Sequence, residues 1–294
     1  MTIDWLTPAY INRLDTLELS IKSVRAGHRL GGRFTVSRRG SSIEFADYAP
    51  YYAGDDIRAI DWSLYARLEK LFVKTYKEEI ALSVEILVDA TPSMGLPTAE
   101  KFIRARHLAV SLGYIGISDG HYVRFSWIKP GPIASSPWFH QRAELSRMAG
   151  AADAAVLGGP VALAEWVRRA AISLRMHGGQ AIVVTDGMVR PAEFFQALHL
   201  LAIRNLEVKV IQVISPQELH PAQLSRAGMV VDAETGDTHQ LAYSTAELEQ
   251  AVTGHNELLA RFCKRHGIAF AQHRLDESLA SFVTNVLPHR GFLE

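Results

Sequence analysis

Three oxygen-bearing side chains stand at alternate positions at the end of an apolar run in LSVEILVDATPSMG, residues 82–95. They are Asp89, Thr91 and Ser93. An apolar run that ends in an acid is typical of a buried strand, and ligands of open parallel sheets bind at the carboxyl ends of such strands. Carboxylate and hydroxyl oxygens are hard ligands that suit Mg²⁺, with Mn²⁺ as a substitute. The spacing therefore predicts a divalent-cation site at this strand end.

A second acid follows another apolar run, AIVVTDG, which places Asp186 at the end of a second predicted buried strand. Because the carboxyl ends of parallel strands lie on one edge of a sheet, we expect Asp89 and Asp186 to lie close together. Both could bind one metal ion, directly or through water. Asp, Ser and Thr are also the preferred N-caps of helices, so each residue alone is more simply explained as a cap. The occurrence of two such strand ends favours the metal site.

The elements that must position these residues alternate between strands and helices from residue 82 onward. This alternation predicts an α/β fold with a doubly wound, mostly parallel sheet. Residues 8–26 have the periodicity of a helix, and residues 27–80 are rich in β-formers and glycine. We therefore predict an N-terminal helix and small β-layer over residues 1–80, followed by an α/β domain over residues 81–294.

Composition excludes several function classes. The chain has 294 residues, with 31 Lys plus Arg against 31 Asp plus Glu. A formal net charge of zero argues against a nucleic-acid coat or a polybasic membrane anchor. No run approaches the roughly 18 apolar residues of a membrane span, and the N-terminus, with Asp4, lacks an apolar signal segment. The single cysteine, Cys263, fits a reducing compartment. We expect a cytoplasmic protein with no nucleic-acid partner and no membrane span.

An upstream segment, EFADYAPYYAGDDIRAIDWSLYARLEKLFVKTYKEE at residues 44–79, is dense in acids, bases and aromatic residues. Its acids could form a metal or catalytic cluster. They more simply pair with the neighbouring bases and fix the β-layer, with aromatic side chains supplying apolar area. The same surface could also dock a partner. The residues of this interaction or structural motif are Gly54, Asp55, Asp56, Arg58, Asp61, Trp62, Tyr65 and Arg67.

The order of residues in this segment resembles the signature of the bacterial domain-of-unknown-function 58 family. The matching parts are Gly-Asp-Asp-x-Arg-x-Ile-Asp-Trp from Gly54 to Trp62, then Tyr-Ala-Arg at residues 65–67, then Lys74. The resemblance implies a fold similar to von Willebrand factor A domains and no established enzymatic activity. It also implies that the protein itself is an adaptor or chaperone-like partner of a MoxR-type AAA+ ATPase.

The two strand ends resemble a known metal site. Asp89-x-Thr-x-Ser93 with the later Thr185-Asp186-Gly187 resembles the metal-ion-dependent adhesion site of von Willebrand factor A domains. Such sites take another threonine from an intervening loop, where this chain has Pro160. The resemblance implies a Mg²⁺ ion that accepts a carboxylate from a partner protein. The ligands so implied are Asp89, Thr91, Ser93 and Asp186.

Two enzyme classes share parts of these patterns. Asp89-x-Thr-x-Ser93 is also similar to the phosphorylation loop of haloacid-dehalogenase-like phosphotransferases, which predicts a Mg²⁺-dependent phosphohydrolase with Asp89 as nucleophile. Those enzymes hold the metal with a later acidic pair, whereas Asp186 stands alone. Gly116-x-Ser118-x-Gly120 matches a nucleophile elbow, but the predicted order is helix then strand, the reverse of an elbow. The non-enzymatic interaction module is favoured, and the phosphohydrolase is the alternative.

Overall fold

The contacts of the chain divide it into two compact units. In this computed structural model, the described residues are 4–21, 44–55, 57–77, 81–159, 163–173, 179–203, 206–220, 229–231, 238–240 and 245–294. The larger unit comprises residues 1–23 and 82–294, and the smaller comprises residues 24–81. The N-terminal helix therefore belongs to the α/β unit, whereas the sequence grouped it with the β-layer.

Helices and strands alternate along most of the described part of the chain. The helices are α1 Pro8–Leu14, α2 Trp62–Leu68, α3 Glu100–Ser118, α4 Leu145–Asp153, α5 Leu163–Ser173, α6 Pro191–Ile203, α7 Pro216–Leu219, α8 Thr245–Arg265, α9 Leu279–Ser281 and α10 Leu287–His289. The strands are β1 Glu44–Pro50, β2 Phe72–Lys77, β3 Ser83–Asp89, β4 Tyr122–Ile128, β5 Ala134–Ser135, β6 Gly179–Thr185, β7 Leu206–Ile214, β8 Met229–Val231, β9 Thr238–Gln240 and β10 Ala269–Arg274. None of the helices in the described part of the chain is long and apolar enough to span a bilayer.

The larger unit is built on a six-stranded sheet with the order β10-β7-β6-β3-β4-β5. All neighbouring strands are parallel except the short β5, which runs antiparallel to β4. The predicted α/β class and mostly parallel, doubly wound sheet are confirmed. The chain leaves β3 toward β4 on one side and leaves β6 toward β7 on the other. The β3–β6 pair is therefore the switch point, where open α/β sheets bind ligands.

Hydrophobic clusters cover both faces of this sheet. Ile86 of β3 packs in one cluster with Leu108 of α3, and Leu87 packs in the other with Leu198 of α6 and Leu259 of α8. Because both faces are buried, the strands read as nearly continuous apolar runs. Packing on both faces also holds each strand in place, and so it fixes the positions of the side chains at the carboxyl edge of the sheet.

The N-terminal helix is shorter than the predicted residues 8–26. Helix α1 ends at Leu14, and residues 22–26 lie outside the described part of the chain. Beyond the helix, Leu19 forms an antiparallel bridge with Leu293, and the amide of Glu18 donates to the carbonyl of Glu294 at 3.1 Å. Pairing with the distant C-terminus holds this segment extended and outweighs its helical periodicity.

The smaller unit is an antiparallel β1–β2 pair with α2 between the strands. Asp61 is the N-cap of α2, because its Oδ1 accepts hydrogen bonds from the amides of Ser63 at 2.9 Å and Leu64 at 3.1 Å. Its Oδ2 accepts a third from the hydroxyl of Tyr48 at 3.0 Å. A capping carboxylate of this kind satisfies helix amides that have no partner within the helix.

Candidate functional site

Asp89 is the last residue of β3 and is only 1% exposed. Its Oδ1 accepts hydrogen bonds from the amide of Thr91 at 3.0 Å and from the hydroxyl of Thr91 at 2.7 Å. Its Oδ2 accepts one from the hydroxyl of Thr185, the last residue of β6, at 2.7 Å. Both carboxylate oxygens are therefore held in place by the two strand ends.

The two predicted hydroxyls continue this chain of oxygens. Thr91 Oγ1 lies 3.0 Å from Ser93 Oγ. Thr91 precedes a short 3₁₀ turn over Pro92–Gly95 but makes no side-chain cap bond to it, so it is not a simple cap. The spacings of 2.7 and 3.0 Å between these oxygens match neighbouring ligands in an octahedron with metal–oxygen distances of about 2.0–2.1 Å. Ser93 is half-buried, which gives the group access to solvent.

Asp186 follows β6 and is held in a tight turn. Its Oδ1 accepts a hydrogen bond from the amide of Met188 at 3.1 Å. Gly187 has a φ of +69°, a conformation that a residue with a Cβ rarely adopts, and an added Cβ would lie 3.0 Å from Leu259. Gln212 of β7 donates from Nε2 to the carbonyl of Asp186 at 2.9 Å. The structure thus brings Asp89, Thr91, Ser93 and Asp186 to one edge of the sheet.

Lys101, which the sequence analysis did not single out, reaches the same edge. It is 1% exposed, and its Nζ donates to Asp186 Oδ2 at 3.0 Å and to Glu218 Oε1 at 2.5 Å. Glu218 is fixed in turn by a capping box, in which its Oε2 accepts from the amide of Ser215 at 2.8 Å. Two sequence signals pointed here: Lys101 lies at helical spacing from the apolar Ala105 on α3, and Ser-x-x-Glu marks a capping box.

The charges of this group are unbalanced. Burial, and then the nearby carboxylate of Asp186, raises the pKa of Asp89 to about 7, against the hydrogen bonds from Thr185 and Thr91. Burial lowers the pKa of Lys101, but Asp186 and Glu218 raise it, and the net direction is upward, so the ammonium stays charged. With Asp89 ionised, three carboxylates face one ammonium. A divalent cation would balance the two remaining negative charges, so the donor set and its charge fit Mg²⁺.

The loop expected to supply a further hydroxyl runs beside this group. The amide of Gly158 donates to the carbonyl of Ala90 at 2.7 Å, directly next to Asp89. Pro160 and the two residues after it lie outside the described residues. Within the part of the chain that the structure describes, no cluster of three His, Cys, Asp or Glu side chains is arranged to hold a metal. A metal at this edge would therefore depend on the hydroxyls as well as on the acids.

The family described as "Protein of unknown function DUF58" matches residues 47–257. The chain belongs to this family. The match covers both the segment from Gly54 to Arg67 and the two strand ends, so the family recognised from the sequence is confirmed. No functionally curated protein matches this DUF58 chain at a significant level.

Several solved structures are similar to this DUF58 chain in fold. BatB from Bacteroides thetaiotaomicron is 16% identical, with a TM-score of 0.43 over 71% of this chain and 98% of that one. The VWA domain of SpRpn10 is 10% identical, with a TM-score of 0.42 over 71% and 96%. Proximal thread matrix protein 1 from the mussel byssus, with a zinc-occupied MIDAS motif, is 15% identical, with a TM-score of 0.35 over 45% and 36%. These similarities concern the fold class only.

The DUF58 signature segment presents aromatic side chains to solvent. Trp62 is 60% exposed and meets the ring of Tyr65 edge-on, with centroids 6.1 Å apart. Asp55 Oδ2 accepts from the amide of Tyr52 at 2.9 Å, and Gly54 has a φ of +115°. The remaining motif residues are Asp56, which lies outside the described residues, Arg58 and Arg67, which are both exposed, and the helix-capping Asp61.

The apparent nucleophile elbow is the end of a helix. Ser118 is the last residue of α3, and the strand β4 follows it, beginning at Tyr122. An elbow instead places its serine on a turn after a strand and before a helix. The reversed order that the sequence predicts is confirmed, so Ser118 has no nucleophile-elbow geometry.

Proposed function

We propose that this DUF58 chain is a non-enzymatic protein-interaction module that binds its partner at the carboxyl edge of β3 and β6. The observation that carries the proposal is the chain of oxygens from Asp89 through Thr91 to Ser93 at the switch point of the sheet, with spacings of 2.7 and 3.0 Å. Open α/β sheets bind ligands at such points. Belonging to DUF58, for which no catalytic activity is established, supports a role in binding.

The proposed cofactor is Mg²⁺, for which Mn²⁺ can substitute. The hydroxyls of Thr91 and Ser93 would bind it directly, and the carboxylates of Asp89 and Asp186 directly or through water. When bound, Mg²⁺ would supply an electrophilic position for a carboxylate of the partner protein. The chain's own contribution is to hold the oxygens ready, because Thr185 and Thr91 already fix both oxygens of Asp89.

Apolar side chains around the site support a protein as the partner. Val156 is 64% exposed, and Leu96 and Leu157 are also exposed. Leu157 lies against the 3₁₀ turn that carries Ser93, since a Cβ added to Gly95 would lie 2.7 Å from it. Exposed apolar side chains grouped on one part of a surface are a feature of protein-interaction sites. The exposed Trp62 and Tyr65 of the smaller unit provide a second candidate contact surface.

The proposed partner is a MoxR-type AAA+ ATPase, and the proposed compartment is the cytoplasm. The resemblance of the Gly54–Arg67 segment to its family suggests the partner. The single cysteine and the neutral net charge are compatible with the compartment. A direct test is capture of a purified MoxR-type ATPase from the same organism by immobilised wild-type protein, with Mg²⁺ or with EDTA. We expect capture in Mg²⁺ that falls at least tenfold in EDTA.

The metal part has its own test. Calorimetric titration with Mn²⁺ and Mg²⁺, and thermal melts with each metal or EDTA, should show binding by wild type and none by Asp89→Ala or Ser93→Ala. Asp153→Asn is the matched control, because Asp153 is an exposed acid at the end of α4. Equal metal responses in wild type and Asp89→Ala would refute the site.

Variants of the apolar rim separate partner binding from metal binding. Val156→Gln should abolish capture of the ATPase and leave the Mn²⁺ titration unchanged, because Val156 is exposed and the substitution adds no carboxylate beside the metal. Trp62→Ala tests the second surface in the same way. Retained capture by both variants would exclude these surfaces from the interface.

The phosphohydrolase alternative is disfavoured by the state of its nucleophile. Asp89 is buried, and each of its oxygens accepts a hydrogen bond from a threonine hydroxyl, which reduces its nucleophilicity. The lysine of the site contacts Asp186 and Glu218. Trapping of an aspartyl-phosphate analogue with beryllofluoride, visible as a change in the fluorine NMR spectrum that Asp89→Asn removes, would overturn the non-enzymatic assignment.

A further inference from the structure

The buried ammonium of Lys101 lies beside Asp186, a carboxylate that the proposed metal site would use. Lys101 extends from the first turn of α3 to the carboxyl edge of the sheet, and almost none of its surface is exposed. Its Nζ bonds to Asp186, one of the predicted ligands, and to Glu218, 117 positions away in the sequence. Burying a lysine is costly unless carboxylates pair with it, so this three-residue group is a built feature of the fold.

The same contacts set the charge at Asp186. One of its oxygens, Oδ1, accepts a hydrogen bond from the amide of Met188. The other, Oδ2, accepts one from Nζ of Lys101. A metal ion that binds Asp186 directly would share this carboxylate with both donors, and the donor on Oδ2 is itself a cation. The ammonium of Lys101 and a metal ion would repel each other strongly at short range, because the effective dielectric constant of a buried site is low.

We infer that Lys101 is the site's own cation, which holds Asp186 and Glu218 together without a metal and competes with Mg²⁺ for Asp186. For Mg²⁺ this inference rests on the proposed function, whereas the pairing of Lys101 with its two carboxylates does not. It follows that the carboxyl edge is assembled in metal-free protein, and that its metal affinity is lower than that of the same oxygens without Lys101. The lysine would thereby set how strongly partner binding depends on the metal.

A double-mutant cycle in EDTA tests the pairing. Lys101→Met should lower the Tm by roughly 10 °C, because two carboxylates lose their buried partner. Asp186→Asn, introduced into the same variant, should restore more than half of that loss, since it removes one unpaired charge. Lys264→Met, an exposed lysine of α8, is the matched control and should leave the Tm unchanged. Should Lys101→Met not fold, Lys101→Gln replaces it in the cycle. Additive losses, with no recovery in the double variant, would overturn the pairing.

Titration with Mn²⁺ tests the competition. Lys101→Met should bind Mn²⁺ at least tenfold more tightly than wild type, and Lys264→Met should bind it like wild type. Equal affinity of wild type and Lys101→Met would overturn the competition while leaving the proposed metal site intact. An absence of binding in every variant would overturn both the competition and the metal part of the proposed function. The cycle in EDTA would then still decide whether Lys101 pairs with Asp186.

Discussion

The hydroxyl of Thr185 donates a hydrogen bond to Oδ2 of Asp89 at 2.7 Å, and so joins the carboxyl ends of the neighbouring strands β6 and β3. The amide of Gly187 donates in turn to Thr185 Oγ1 at 3.0 Å, so the loop that carries Asp186 is tied to the same bond. Thr185 thereby sets the position of one predicted ligand and the turn of the other.

The first prediction concerns this bond. Thr185→Val should destabilise the protein by about 2 kcal/mol at pH 8, because a buried carboxylate loses one of its donors. The loss should be smaller at pH 6: the bond from Thr185 lowers the pKa of Asp89, which stands at about 7, so the bond stabilises the ionised form. Urea unfolding at both pH values measures the effect. Thr16→Val removes an exposed hydroxyl bond and is the control. Equal losses at pH 8 and pH 6 would contradict the prediction.

The second prediction concerns a buried histidine of β10. His273 lies against the ring of Phe282, with Arg104 Nη1 3.3 Å from its Nε2 and Glu277 3.7 Å from its Nδ1. Burial, and then the charge of Arg104, lowers its pKa to about 3, against a weaker opposing effect of Asp276. In the unfolded chain a histidine titrates near pH 6.5. The unfolded state therefore binds the extra proton between these values, and stability is lost as the pH falls below about 6.5.

His273→Gln should remove that loss. Between pH 7.5 and pH 5.5, the wild-type free energy of unfolding should fall by about 1 kcal/mol relative to that of the variant. The variant is needed as a reference, because other groups also titrate in this range. Burial raises the pKa of Asp119 to about 6, so Asp119 stabilises the fold as the pH falls, and it does so equally in both proteins. Chemical denaturation across this range measures the difference. Parallel pH profiles of the two proteins would rule the histidine out.

The sequence predicted the strand ends of the site because their signals are local. An apolar run followed by an acid identifies the tips of β3 and β6 without knowledge of the rest of the chain, and strand–helix alternation then places both tips on one edge. The same local signals did not predict the role of Lys101, because its partners lie 85 and 117 positions farther along the sequence. Its place on the buried side of α3 reveals that it is enclosed, but only the fold reveals what it pairs with.

A similar limit applied to the N-terminal helix. The spacing of Leu14, Leu17 and Ile21 is helical, yet the chain leaves the helix after Leu14 and pairs with the C-terminus. Local periodicity does not report a competing partner that lies hundreds of positions away. In the signature segment, Asp61 is the N-cap of α2, a role that its position before Trp62 already allowed.

The third prediction concerns a buried acid of β3 outside the candidate site. Glu85 is fully buried, and Oε2 accepts from Arg124 Nη2 of β4 at 2.8 Å, while Ser126 donates to Oε1. Burial raises the pKa of Glu85, against the hydrogen bonds from Arg124 and Ser126. Arg124→Met should therefore destabilise the protein by about 3 kcal/mol, at the lower end for a broken buried pair, since the arginine side chain is 24% exposed.

A matched control exists on the surface. Arg147→Met breaks an exposed pair with Glu144 and should leave the stability nearly unchanged. Adding Glu85→Gln to Arg124→Met should recover much of the loss, because the uncompensated charge is then gone. Guanidinium unfolding of wild type, Arg124→Met, Arg147→Met and the double variant measures both effects. A similar small loss of stability in the two single arginine variants would show that Glu85 does not need its partner.

The fourth prediction concerns the signature glycine of the smaller unit. Gly54 has a φ of +115°, and nothing lies within 4 Å of an added Cβ, so any cost of Gly54→Ala comes from the backbone alone. A conformation of this kind costs a residue with a Cβ about 1–3 kcal/mol. Gly150→Ala, in the interior of α4 with equally open surroundings, should instead stabilise by about 0.5–1 kcal/mol. Hydrogen exchange over residues 44–77 should quicken in Gly54→Ala and stay unchanged in Gly150→Ala. Unchanged exchange in Gly54→Ala would mean that the smaller unit does not require its glycine at this turn.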